Sequence, residues 1–116
     1  MKYYTSDGYW RSVLRGGLSK LFVLRALREG PCHGYALRVR VETMSGGFCV
    51  PSQGTIYPML REFERAECVQ SRHEKDGRRV RKVYTLTTRG RDALRAGLAA
   101  WEDGLAVIHR ALAPPS

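Results

Sequence analysis

The chain has 116 residues, 43% of them apolar, and 20 Lys and Arg against 11 Asp and Glu for a net charge of +9. That length fits one domain whose core folds without staples, and the charge is the footprint of a phosphate-rich partner, an anionic membrane surface being the other candidate. No apolar run approaches the roughly 20 residues of a membrane span, and the first ten residues lack the apolar stretch of a secretory signal, so a soluble, cytoplasmic protein is expected.

Residues 1–10 carry Tyr3, Tyr4, Tyr9 and Trp10 and read as an aromatic arm. From about 11 to 28, the spacing of Leu14, Leu18, Leu21, Phe22, Leu24 and Leu27 predicts a helix too apolar to expose more than one narrow face, hence mostly buried. Gly30-Pro31 ends it and, proline being tolerated in a first turn, opens a second helix over about 33–44 with Tyr35, Leu37, Val39 and Val41. Gly46-Gly47 closes that helix. After Phe48-Cys49-Val50 and Pro51, Ser52 is the predicted N-cap of a third helix over about 53–66, followed by a turn near Glu67.

In the third helix Ile56, Met59, Leu60 and Phe63 form one core stripe. The opposite face then presents Gly54, Pro58, Arg61, Glu62 and Arg65, with Thr55 and Tyr57 at its flanks, smooth at one end and basic at the other. Next, Asp76-Gly77 between two alternating runs predicts a hairpin with a type I′ turn, its strands at about 69–74 and 78–87. Val69, Val80, Tyr84 and Leu86 then face one side and Arg72, Arg79 and Arg81 the other. Residues 72–95 hold nine Lys or Arg against three acids, six of the nine net charges.

The last helix opens at Thr87-Thr88 and runs to about Leu112, before a short tail at 113–116. Leu94, Leu98, Trp101, Leu105, Ile108 and Leu112 are spaced 4, 3, 4, 3, 4, a coiled-coil seam that a second copy of the chain would cover. A row of short residues beside it, including Gly97, Ala100 and Gly104, leaves room next to Trp101. Trp101 with Gly97, Leu98 and Leu105 is therefore a candidate pocket for a flat ligand, packing at the interface being the plainer alternative.

Cys32, Cys49 and Cys68 make no CxxC pair and read as small buried residues, a thiol or metal sensor being the alternative. Cys32 beside His33 offers a nucleophile and a base, but neighbouring side chains diverge and no carboxylate is placed to orient the histidine. No phosphate-cradling glycine loop or metal-ligand cluster is present, so no enzyme, cofactor or metal is implied.

Helix, helix, helix, hairpin, helix is the winged helix-turn-helix order: mainly α, with a small β-hairpin wing and a C-terminal dimerisation helix. The sequence also resembles the PadR family of prokaryotic transcriptional regulators from about Leu14 to Leu112. The matching motifs are Gly30-Pro31-Cys32-His33-Gly34-Tyr35-Ala36-Leu37, then Pro51-Ser52-Gln53-Gly54-Thr55-Ile56-Tyr57-Pro58-Met59-Leu60, then Arg81-Lys82-Val83-Tyr84-Thr85-Leu86-Thr87 with Gly90. The resemblance implies a repressor that dimerises through its terminal helices, binds double-stranded DNA at an inverted-repeat operator, and is released by a small aromatic or lipophilic effector. It implies DNA contacts from Ser52, Gln53, Thr55, Tyr57 and Arg61 on the recognition helix, His33 and Tyr35 on the helix before it, and Lys75, Arg78, Arg79, Arg81 and Lys82 on the wing. Leu14 and Leu18 join the seam residues at the dimer interface.

The domains are then residues 11–87 for DNA binding and 88–112 for dimerisation. Where the family usually has glycine and leucine, this chain has Glu67 and Cys68, and its wing is one residue longer around Val80. A winged-helix adaptor that binds no DNA, or a dimeric regulator sensing thiol state through its cysteines, are the competing readings.

Overall fold

The first helix starts earlier than its apolar spacing suggests, because Ser6 supplies a start signal. In a computed structural model, which describes residues 2–112, Ser6 is extended and its hydroxyl accepts the Tyr9 N–H at 3.4 Å, so α1 is Asp7–Leu27 after a 3₁₀ turn at Lys2–Thr5. The expected arm is thus corrected: Tyr9 and Trp10 belong to α1, and their rings pack edge to face with centroids 5.0 Å apart. Burial along α1 needs correction too. Val23, Leu24, Ala26 and Leu27 are buried, whereas Val13 and Leu14 are exposed. The predicted tail at 113–116 lies outside the described residues.

Pro31 does not open a helix. It precedes a two-residue strand, β1 (Cys32–His33), and α2 (Gly34–Met44) begins after it with His33 as N-cap. Two residues are too few for an alternation to register in sequence. α3 (Gln53–Arg65) has the expected core stripe, with Ile56, Met59 and Leu60 buried.

The end of α3 explains one departure from the family pattern. Cys68 N–H bonds the Phe63 carbonyl at 2.9 Å and Glu67 N–H bonds the Glu64 carbonyl at 3.0 Å, a pair of bonds that closes a helix through a left-handed residue. That residue is Glu67, with φ +62, the one non-glycine residue at positive φ among those described. A glycine, which the family resemblance implies at this position, would fit this backbone without strain.

β2 (Val69–Asp76) and β3 (Arg79–Leu86) form the hairpin, and the antiparallel sheet runs β1-β3-β2. Asp76 pairs with Arg79, so the loop is Gly77-Arg78 and not Asp76-Gly77. Gly77 takes φ +63; with glycine first in a two-residue loop, the second residue needs no positive φ, and the I′ expectation gives way to a II′-like turn. The pairing moves by an even number of residues, so the faces keep their parity. Val69, Tyr84 and Leu86 are buried on one face, as expected, but Val80 near the tip lies beyond the core and is exposed.

α4 (Thr88–Ala111) is capped by Thr87, whose hydroxyl accepts from Gly90 N–H at 3.0 Å and donates to the Glu67 carbonyl at 2.7 Å. Gly90 sits so close to the Cys68 carbonyl that an added Cβ would overlap it. Further along, Gly97 meets Leu21 and Gly17 meets Trp101, so α4 runs antiparallel to α1. The core of Val23, Leu27, Leu37, Val41, Ile56, Leu60, Val69 and Leu94 lies at one end of a molecule of 59 × 31 × 23 Å. The α1 start and α4 finish extend beyond it.

Candidate nucleic-acid interface

Two arginines that sequence reasoning passed over tie α2 to the segments on either side of it. Arg38 donates to the Pro51 carbonyl at 2.8 Å, fixing the loop before α3, and Arg40 donates to the Gly30 carbonyl at 2.7 Å, fixing α2 to the end of α1. Both are half-buried main-chain clasps. They leave the outer face of α3 free.

That face carries exposed Ser52, Gln53, Gly54, Thr55, Pro58, Arg61 and Arg65. Ser52 has the extended backbone of an N-cap but does not bond the first-turn amides; its hydroxyl instead lies 3.1 Å from that of Thr55. The Gln53 and Gly54 amides at the helix start therefore lack a side-chain cap, the arrangement that suits an anion at a helix N-terminus.

Tyr57 is half-buried, its ring laid over Gly34: a Cβ there would come within 2.5 Å of the phenol oxygen. Gly34 therefore admits the ring, and Tyr57 joins α3 to the start of α2. Exposed Tyr35 stands on α2 beside it. Across from them, Arg81 reaches His33, Nη1 to Nε2 at 3.0 Å, and its Nη2 lies 3.7 Å from Asp76. His33 also caps α2, Nδ1 accepting Ala36 N–H at 3.4 Å. These groups line an open recess of about 410 Å³ bounded by His33, Gly34, Tyr35, Tyr57, Arg79, Arg81 and Lys82.

Six of the twelve residues singled out in sequence for DNA thus meet at one recess, and Ser52, Gln53, Thr55 and Arg61 line the adjoining helix face. Lys75 and Arg78 stand exposed at the wing tip. Lys82 also has an internal role: its Nζ is 3.4 Å from Glu64 Oε1 and 5.7 Å from the centroid of the Tyr84 ring. Glu64, which sequence reasoning missed, also accepts from Ser71 Oγ at 2.8 Å, so one carboxylate ties α3 to both wing strands. Burial, with this carboxylate adding to it, pushes the Tyr84 phenol up. The only sequence signal for Glu64 is an acid among bases at the edge of a core stripe.

The seam residues fall into two groups. Leu94 is 1% exposed and sits in the chain's own core, which corrects its assignment to an interface. Leu105, Ile108 and Leu112 are 50%, 42% and 74% exposed, with Leu14 and Leu98 also open and Leu18 half-buried. Trp101 is half-buried with its ring edge on Gly17, and Leu98 lines a small apolar recess of about 120 Å³ with Leu18, Leu21, Phe22 and Arg25. Gly97 packs on Leu21, and within one chain the candidate ligand pocket does not close around Trp101.

The cysteines are all buried and unpaired, and burial pushes the Cys32 and Cys49 thiols up. Among the described residues no cluster of three or more His, Cys, Asp or Glu is arranged to hold a metal, and no helix is long and apolar enough to cross a membrane.

A profile of the Transcriptional regulator PadR-like family matches residues 23–96. The structure is similar to that of a PadR family transcriptional regulator from Eggerthella lenta, with 28% identity, a TM-score of 0.84 and 99% of each chain covered. It is also similar to PadR from Bacillus subtilis in complex with operator DNA, with 28% identity, a TM-score of 0.64, and 70% of this chain and 46% of that one covered. Among curated proteins, an uncharacterized 37.1 kDa protein in transposon TN4556 of Streptomyces fradiae is 35% identical over 81 residues. This chain spans 22% of that relative's length.

Proposed function

Because the chain belongs to the PadR-like family of transcriptional regulators, we propose that it is a repressor, a homodimer that binds an inverted-repeat operator and is released by a small aromatic or lipophilic effector. The observation that carries the DNA reading is the convergence of the outer face of α3, the recess around His33 and the wing tip into one basic, exposed surface. The bound state of the Bacillus subtilis relative supports it.

The roles divide by chemistry. Gln53 and Arg61 stand outward on α3, where their amide and guanidinium match the base edges of adenine and guanine. Ser52, Thr55 and Tyr57 offer hydroxyls, and Tyr35, Lys75, Arg78 and Arg79 donors or charge, to the backbone, which fixes register without reading sequence. Residues 11–87 form the DNA-binding unit in this reading and 88–112 the dimerisation helix.

The uncovered stripe of Leu14, Leu98, Leu105, Ile108 and Leu112 supports a second copy as its cover. The recess at Leu98 is smaller than the several hundred Å³ of a ligand site, so an effector pocket at Trp101, Gly97, Leu98 and Leu105 needs both copies to form. Thiol sensing fits less well, since buried thiols raised out of the thiolate range react slowly.

A gel shift with the chain's own upstream region and a random duplex over a salt series tests this reading. Specific binding with a steep salt slope is expected. Arg61→Ala should cost about tenfold on the specific duplex and less on the random one, while Arg78→Ala should weaken both alike. Equal affinity for both duplexes would leave an adaptor that reads no DNA.

A further inference from the structure

The wing is packed on the core only at its base. Val69, Val83, Tyr84 and Leu86 are buried, whereas every residue from Arg72 to Val80 is exposed. Where the hairpin leaves the core, one carboxylate meets both strands. Ser71 pairs with Tyr84 and His73 with Lys82, so Ser71, Tyr84 and Lys82 share one sheet face. Against that face Glu64 of α3 accepts from Ser71 Oγ at 2.8 Å through Oε2, and its Oε1 lies 3.4 Å from Lys82 Nζ.

Lys82 is fixed from two sides. Its ammonium stands 5.7 Å from the centroid of the Tyr84 ring, within cation–π range. Glu64 Oε1 is buried and makes no hydrogen bond, so that ammonium is what offsets its charge. A lysine engaged in this way is withheld from a phosphate. The lever it controls is long: β2 runs five residues on from Ser71 to Asp76. That is about 17 Å of strand, so a tilt of about 10° at the base moves the tip by about 3 Å. Such a displacement is enough to break a hydrogen bond.

We propose that Glu64 is a positioning residue for DNA binding: it fixes the wing against α3, and Lys82 serves that link rather than a phosphate. This gives Lys82 a different role from the one the resemblance implies, and its DNA part rests on the reading proposed above.

The sign of the effect separates this role from that of a surface charge. Removing an acid from a DNA-binding face ordinarily tightens binding, because it removes repulsion from the phosphates. Glu64→Gln should instead weaken binding to the chain's own upstream duplex about fivefold, although glutamine keeps the size of the side chain and an acceptor for Ser71. Lys82→Gln should weaken it by the same factor, and the double variant by no more than either alone. Unchanged or tighter binding by Glu64→Gln, or losses that multiply in the double variant, overturn the proposal.

A second readout needs no DNA. Spin labels at Arg65→Cys on α3 and Arg78→Cys at the wing tip report their separation in the free chain, both sites being exposed and the native cysteines buried. A narrow distance distribution is expected with Glu64 and Lys82 in place, and a broader one in Glu64→Gln and in Lys82→Gln, each checked for folding by circular dichroism. Equal widths overturn the proposal even where DNA is bound. Failure of the wild type to bind its duplex counts against the DNA reading instead, and the distance widths then decide whether Glu64 fixes the wing.

Discussion

At the end built from α2, α3 and the wing, a core closes within one chain with Tyr35, Val39, Val50 and Val80 left exposed around it, whereas at the other end α1 and α4 run side by side with a continuous stripe of Leu14, Leu105, Ile108 and Leu112 in open solvent. The first end uses its basic residues for structure as well as surface: Arg38 and Arg40 clasp main-chain carbonyls, and Lys82 is held by Glu64. The second has apolar surface that none of the other described residues covers. The fold is therefore closed around α3 and open along its terminal helices, and the open half is where the proposed second copy would lie.

Leu105→Glu should break this contrast most severely. Half of its surface is already exposed in one chain, so folding should survive while a charge enters the proposed seam. An increase of at least about a hundredfold in the dimer dissociation constant is expected by light scattering over a dilution series. An unchanged dimer would move the interface elsewhere.

Gly90→Ala tests the self-contained end. The new methyl would overlap the Cys68 main-chain carbonyl at the start of α4, and backbone on one side and Leu86 on the other leave it no room to shift. A loss of about 3 kcal/mol in stability is expected, read by chemical denaturation. A wild-type midpoint would mean that α4 does not approach the α3–β2 turn this closely.

Glu67→Gly should act in the opposite direction and by less. It relieves a left-handed non-glycine residue and removes an acid from the negative end of α3, at the cost of a freer unfolded chain. A gain of about 1 kcal/mol is expected, seen as a higher melting temperature with DNA affinity unchanged. A loss would mean that the Glu67 side chain contributes more through Arg89, 4.0 Å away, than its backbone costs.

Much of this was legible in the sequence because periodicity is a strong signal. The α3 stripe of Ile56, Met59 and Leu60, and the burial of Val69, Tyr84 and Leu86, follow from spacing alone. Features decided by a few atoms were not. β1 is two residues long and exists only by pairing with Tyr84 and Val83. The hairpin loop slid by one residue because Gly77 can supply positive φ at either central position. Leu94 has the seam's spacing, yet it lies where α4 still touches the core, and a heptad pattern does not say where one chain's core stops. Glu64 carries no motif, since its importance lies in meeting Ser71 and Lys82 across three elements.

The contrast between the two ends is tested most directly by comparing wild type and Leu105→Glu on a full inverted-repeat site and on an isolated half-site, by fluorescence anisotropy at fixed salt. If the recognition end is complete in one chain and the terminal helices only pair two copies, Leu105→Glu should bind the half-site as the wild-type chain does. It should also lose the tighter affinity for the full site, by about a hundredfold or more. Full-site affinity equal to wild type, or loss of half-site binding in a folded variant, would contradict that division.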